Sequence, residues 1–191
     1  GERWHGRSQK WQTRSESDLL EEAEVQLLRL YLHQPQYRPT IAAALEERDL
    51  GFSFSHHRFL WRQILELKDQ GYQPDEDPNL DLLALLQDHC SDSEELRQVY
   101  SLFQLGETGN LDVKRATLVI RSTVASMERV ICEKRRRHFL DLWKNTDCAA
   151  SPETGYQYQE KIYAEEKRIK ELDQERQTTF EDLVRFPVFD A

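Results

Sequence analysis

The hydrophobic positions of this chain recur mostly at steps of three and four residues, which places them on one face of an α-helix. In the first such segment the apolar positions at these steps are Leu20, Ala23, Leu27, Leu30 and Tyr31, and Pro35 ends the helix. Ser17 is the predicted N-cap, because acidic residues fill the turn that follows it. Four further short segments with the same pattern follow, at about 36–49, 53–70, 77–89 and 91–105. The pattern predicts a bundle of amphipathic helices.

Start and stop signals divide these segments from one another. Gly51 and Gly71 follow the second and third helices, as glycines commonly do at helix ends. The predicted starts are Ser53 or Ser55 for the third helix, Asp77-Pro78 for the fourth, and Ser91 or Asp92 for the fifth.

The sixth segment, 111–144, contains neither Gly nor Pro, which predicts a single helix about 50 Å long at 1.5 Å per residue. Its apolar track runs from Ile120 through Val124 and Met127 to Ile131. Charged residues then surround the helix at 133–137, so no apolar face remains there. A helix inside a bundle keeps an apolar face, so this pattern predicts that the helix emerges from the bundle at this point.

Residues 145–155 form a predicted loop, and Ser151-Pro152 is a start signal for a long last helix with one thin apolar stripe. This helix and the end of the preceding one predict a projecting helical hairpin. The predicted fold is therefore all-α: a helical bundle, then a long helix and a C-terminal hairpin arm. The predicted divisions are a linker at 1–14, the bundle at 15–131, the arm at 132–184 and a tail at 185–191.

Composition narrows the function classes. The chain has 191 residues, a formal net charge of −9, and three widely spaced cysteines, which predicts neither disulfides nor a zinc site but a reducing, cytoplasmic location. No apolar run reaches the roughly 18 residues of a membrane span. His56 and His57 are adjacent, so they cannot share a metal at the i, i+4 spacing. Phosphate-binding and nucleophile motifs are absent, so we expect no cofactor and no catalysis by this chain.

The charge is unevenly distributed along the sequence. Residues 1–14 are basic, 75–107 carry nine acidic residues against Arg97 alone, and 108–144 carry nine basic residues against four acidic ones. Within the last segment, EKRRRHF (133–139) allows three interpretations: a solvated helix turn, a patch matched to an acidic protein surface, or a contact for nucleic-acid phosphates. The basic residues concerned are Lys134, Arg135, Arg136, Arg137 and His138.

Three stretches resemble the C-terminal region of bacterial DnaG-type DNA primases, especially those of cyanobacteria. They are AEVQLLRLYLHQPQYRPTI (23–41), FSFSHHRFLWRQILEL (52–67) and ERVICEKRRRHFLDLW (128–143). The pattern H-x-P-x-Y-R at 33–38 and the pattern H-R-F-L-W at 57–61 are the more specific parts of this resemblance. The similarity covers nearly all of residues 15–184.

In that family, this region binds the replicative helicase, and the terminal hairpin docks on the helicase N-terminal domains. The resemblance implies the same for this chain, and it implies that the zinc ribbon and polymerase core of the family lie outside it. It also implies a second partner, the acidic tail of single-stranded-DNA-binding protein, at Arg29 and Arg38. The candidate helicase contacts are Tyr158, Ile162, Tyr163, Arg168, Ile169, Leu172 and Phe180. For Ile162, Ile169 and Leu172, the alternative is that they only seal the hairpin.

Two further hypotheses stay open. One is a nucleic-acid-binding bundle that uses the basic turn at 134–138, whose DNA affinity would fall steeply with salt. The other is a domain-swapped dimer, in which the long helix passes its hairpin to a second copy.

Overall fold

The computed structural model describes the backbone of residues 15–90, 93–105 and 115–185, and side chains as far as residue 177. These residues form seven α-helices, two short 3-10 helices and no strand, so the predicted all-α fold is confirmed. The predicted linker at 1–14 lies outside the described residues, as does the predicted tail beyond Arg185. The helices are α1 (Glu16–His33), α2 (Arg38–Glu47), α3 (Ser55–Asp69), α4 (Leu82–His89), α5 (Glu94–Val99), α6 (Ala116–Lys144) and α7 (Pro152–Arg185), with 3-10 turns at Pro35–Tyr37 and Tyr100–Phe103.

Helix α1 begins two residues earlier than the Ser17 cap predicted. The Ser15 hydroxyl accepts a hydrogen bond from the Asp18 amide at 3.1 Å, and the Asp18 carboxylate accepts one from the Ser15 amide at 3.2 Å. This reciprocal pair is a capping box, which needs an acceptor side chain three residues after the cap. Ser17 has Leu20 at that position and therefore cannot form one.

The predicted starts of α4 and α5 are also wrong. Asp77 instead accepts a hydrogen bond from the Asn79 amide at 2.9 Å, which is a local turn, and Asp81 caps α4 by accepting from the Ala84 amide at 3.1 Å. Ser93 caps α5 through the Leu96 amide, whereas the predicted Ser91 and Asp92 lie outside the described residues. Aspartate side chains serve turns and caps equally well, so sequence alone did not separate the two.

Helix α1 lies at the centre of the bundle, because it packs against α2, α3, α6 and both 3-10 turns and buries a broad side of its surface against them. The bundle core combines them with apolar residues of α2 to α6, including Leu60, Ile64, Leu86 and Met127. The end of α3 is as predicted: Gly71 adopts a left-handed conformation with φ 100°, which glycine tolerates best.

The long helix α6 is continuous from Ala116 to Lys144, and α7 packs against it in antiparallel orientation. The predicted helical residues 111–114 lie outside the described part. Beyond Val130, the described residues of α6 do not belong to the bundle core, although Arg137 still lies 3.4 Å from Glu16 of α1. The division into bundle and arm at residue 131 stays a prediction, since α6 runs through it without a break.

Candidate partner-binding surface

The arm is sealed by a small apolar cluster that is separate from the bundle core. It consists of Ala125 and Cys132 of α6 with Ile169 and Leu172 of α7. Ile169 and Leu172 are buried, while Ile162 and Tyr158 lie half-buried on the same side of α7. These four predicted helicase contacts therefore face α6, and for Ile169 and Leu172 the structure matches the alternative that they seal the hairpin.

Arg168, a further predicted contact, is held by α6. Its Nε and Nη2 atoms donate to the two carboxylate oxygens of Glu128 at 2.7 and 2.9 Å, a two-point ion pair. Its hydrogen bond to Glu128 raises the pKa of Arg168 well above its ordinary value. The guanidinium of Arg168 is thus engaged within the chain. The side chain of Phe180, the last predicted contact, lies outside the described residues.

The opposite side of α7 carries exposed aromatic residues. Tyr156 and Tyr163 have 61% and 69% of their surface exposed, more than any other large apolar or aromatic residue in the described part of the chain. They are seven residues apart and therefore lie on one side of the helix, with Glu160 between them and Lys167 one turn further on. We call these four residues the outer stripe.

Only Tyr163 of the outer stripe was among the residues predicted from the sequence. Tyr156 is not among them, because the predicted contacts follow the apolar stripe at Ile162, Ile169 and Leu172, which lies on the inner side of α7. The signal that could have found it is the seven-residue spacing of two tyrosines in an otherwise polar helix. Aromatic residues are enriched at protein interfaces because they bury a large area and retain a polar group.

The tip of the arm is held in shape by the turn before α7. The Asp147 carboxylate accepts from the Ala149 and Ala150 amides at 3.0 and 3.3 Å, and α7 then starts at Pro152, as predicted. A Cβ atom at Gly155 would lie 2.8 Å from the Cys148 sulfur, so α7 approaches the turn more closely than a side chain there would allow. Tyr156 therefore projects from a closely packed turn.

The basic turn on α6 is largely matched by acidic residues of the same chain. Arg135 lies 2.9 Å from Glu165 of α7, Arg136 pairs with Glu133 and Glu166, and Arg137 lies 3.4 Å from Glu16 of α1. Lys134 is exposed. The three arginines of the basic turn thus have carboxylate neighbours, which lowers the positive field that they present to an anionic ligand.

The residues of the H-x-P-x-Y-R pattern hold the end of α1. Arg38 is 2% exposed and donates to the carbonyl oxygens of Tyr31, Leu32 and Pro74 at 2.8, 3.1 and 3.3 Å. The His33 ring lies 2.7 Å from the Leu102 carbonyl oxygen. Arg38, a predicted contact for the single-stranded-DNA-binding protein, is therefore buried, and Arg29, the other one, is half-buried.

The H-R-F-L-W pattern begins with a histidine that is bonded inside the bundle. His57 Nδ1 lies 2.7 Å from Glu24 Oε2, and both side chains are at most 1% exposed. Glu24 also accepts from the amides of Ser53 and Phe54 at the start of α3. Helix α3 has no side-chain cap of its own, and this carboxylate of α1 instead binds the amides of the two residues that precede it.

Comparisons with known proteins identify the chain's relatives. No protein-family model and no solved structure matches it. It is 39% identical over 171 residues to the DNA primase of Synechocystis sp., and 32% identical over 157 residues to that of Synechococcus elongatus. These matches cover 88% and 75% of this chain but 27% and 22% of the relatives, so the chain spans about a quarter of their length.

No helix in the described ranges is long and apolar enough to cross a lipid bilayer.

The predicted resemblance to bacterial DNA primases is confirmed by the two matches. Over at least three quarters of its residues, this chain is related to a segment of the cyanobacterial DNA primases.

Proposed function

We propose that this chain is the C-terminal, non-catalytic part of a DNA primase and that its arm binds the N-terminal domains of the replicative helicase in the cytoplasm. The observation that carries the proposal is the outer stripe. Two exposed tyrosines stand on a helix whose inner side is already occupied by α6. The relatives' name, DNA primase, supports the primase part of the proposal, and the arm's form supports the docking part.

Docking of the arm on the helicase would raise the rate of primer synthesis by bringing the catalytic core close to its template. A catalytic core linked to this chain would be held close to the template that the helicase exposes, which raises its effective concentration there. The chain itself would need no catalytic group for this role. The partner surface that fits the outer stripe is an apolar groove with hydrogen-bond acceptors for the tyrosine hydroxyls and a cationic group near Glu160.

Calorimetric titration with the N-terminal domain of the helicase from the same organism tests the proposal. We expect the double variant Tyr156→Ala/Tyr163→Ala to weaken binding at least about tenfold, because buried tyrosines at an interface centre commonly contribute ~2 kcal/mol or more. The matched control is Tyr72→Ala/Tyr100→Ala, which removes two exposed tyrosines of the bundle. Absence of binding by the unaltered chain would overturn the proposal. Equal weakening by both double variants would move the contact away from the arm.

The nucleic-acid alternative has its own test at the basic turn. We expect Arg135→Gln/Arg137→Gln to change the affinity for single-stranded DNA less than about twofold, since the carboxylates of Glu165 and Glu16 already lie beside these two guanidinium groups. Fluorescence anisotropy at 50 and 200 mM salt measures this. A tenfold loss together with a shallower salt dependence would assign the turn to phosphate contacts instead.

A further inference from the structure

The last part of α7 is attached to the rest of the molecule by few apolar contacts. None of its described residues belongs to the bundle core, and its own buried cluster contains four residues, of which Ala125 and Cys132 are small. Burial of apolar area is the main source of packing stability, so a seal of this size contributes little. Ion pairs therefore contribute to the position of α7, among them Arg129 of α6 with Asp173 of α7 at 2.6 Å.

A group of four charged residues joins α2, α6 and α7 at this point. Arg48, at the end of α2, donates to Glu128 of α6 and to Glu175 of α7, both at 3.0 Å. Glu128 also receives the two-point pair from Arg168 of α7. Arg48 therefore connects the bundle to the returning helix across 127 residues of sequence.

The charges of this group support one another. Burial by itself raises the pKa of Glu128, but hydrogen bonds and charge from Arg168 and Arg48 outweigh it, so the net pKa lies below the ordinary value. The carboxylate is thus ionised at neutral pH and bound on both sides. The four side chains are between 14% and 38% exposed, so dissolved ions can reach them.

We propose that Arg48, Glu128, Arg168 and Glu175 form a salt-sensitive latch that holds α7 against the bundle, and that its opening releases residues 165–177 while the bundle stays folded. Salt weakens the attraction between partly exposed charges, because the Debye length falls from about 10 Å at 0.1 M to about 3 Å at 1 M salt. The ion pairs of the latch should therefore weaken as the salt concentration rises. Local release is physically separate from global unfolding, since the apolar cluster of the arm is separate from the bundle core.

Release of the latch would free the part of α7 that follows the two tyrosines of the outer stripe, while α6 remains continuous with the bundle. This inference concerns the arm of the free chain and does not depend on what the outer stripe binds.

Hydrogen exchange of the backbone amides, measured on the full chain by NMR or mass spectrometry, tests the latch. In the unaltered chain, we expect the amides of 165–177 to exchange about 5- to 10-fold faster at 1 M than at 0.05 M salt, whereas α1 and α3 amides change little. Arg48→Gln should produce the faster exchange already at 0.05 M salt. It should also reduce the salt dependence, because the ion pairs of α7 with α6, Arg168–Glu128 and Arg129–Asp173, remain but the connection to α2 is lost.

The matched control is Arg97→Gln, which removes the same charge from the exposed Arg97–Glu94 pair inside α5. We expect this variant to behave like the unaltered chain. The latch is refuted if exchange at 165–177 is independent of salt, or if Arg48→Gln and Arg97→Gln have the same effect. It is also refuted if the amides of α1 and α3 accelerate together with those of α7, because release would then be global unfolding.

Discussion

Replacing Glu24 with Ala is expected to lower the free energy of unfolding by about 3–5 kcal/mol, because three donors inside the bundle lose their acceptor and each unsatisfied donor costs about 1–3 kcal/mol. Glu24 is fully buried, and its carboxylate accepts from His57 and from the amides of Ser53 and Phe54. The substitution leaves these three donors without an acceptor in a site that is buried at His57 and half-buried at the two amides.

Urea denaturation followed by circular dichroism measures this effect. Glu21→Ala is the matched control, because Glu21 lies one turn earlier on α1, has a side chain that is 48% exposed, and lies 3.8 Å from His56. We expect this control to lower the free energy of unfolding by less than about 1 kcal/mol. Equal losses for the two variants would show that the buried carboxylate has no special role. Glu24→Gln should fall between them, since its amide oxygen still accepts one hydrogen bond.

Replacing Arg38 with Ala is expected to lower the free energy of unfolding by about 3–5 kcal/mol, because three carbonyl groups inside the bundle lose their donor. The guanidinium donates to Tyr31 and Leu32 at the end of α1 and to Pro74 in the loop after α3. It also lies 5.8 Å from the centre of the Tyr31 ring. Arg38→Lys should recover only part of the loss, because one ammonium cannot reproduce the fork of a guanidinium.

Arg62→Ala is the control for this experiment, since Arg62 is exposed on α3. We expect it to change the free energy of unfolding by less than about 0.5 kcal/mol. Titration of the folded Arg38 variant with the helicase domain gives a second readout. An affinity equal to that of the unaltered chain would agree with a structural role for Arg38, whereas a loss of affinity in the folded protein would assign it to the interface.

These two predictions concern the residues on which the resemblance to DNA primases rests. The patterns at 33–38 and 57–61 identify the relatives correctly, yet His33, Arg38 and His57 all make contacts inside the bundle. Their hydrogen bonds join α1 to the 3-10 turn at Tyr100–Phe103, to the loop before α4 and to the start of α3. A motif that identifies a family therefore does not by itself mark a contact with a partner.

Much of the architecture was predictable from the sequence. The all-α fold and the break in the apolar face at 133–137 follow from local periodicity, because a helix is formed by residues three and four apart. The start of α7 at Pro152 and the turn at Gly71 follow from backbone preferences of single residues. The starts of α1, α4 and α5 were misplaced, since Ser and Asp cap helices and form turns by the same hydrogen bonds.

The candidate site depended on tertiary structure. The sequence established that α7 carries a thin apolar stripe, but only the packing against α6 showed that Ile169 and Leu172 lie inside and that Tyr156 and Tyr163 lie outside. In the same way, the sequence contains every charged residue of the basic turn and of the latch, but it does not show which of them form ion pairs with each other. Periodicity is a property of neighbouring residues, whereas burial and ion pairing join residues that lie up to 127 positions apart.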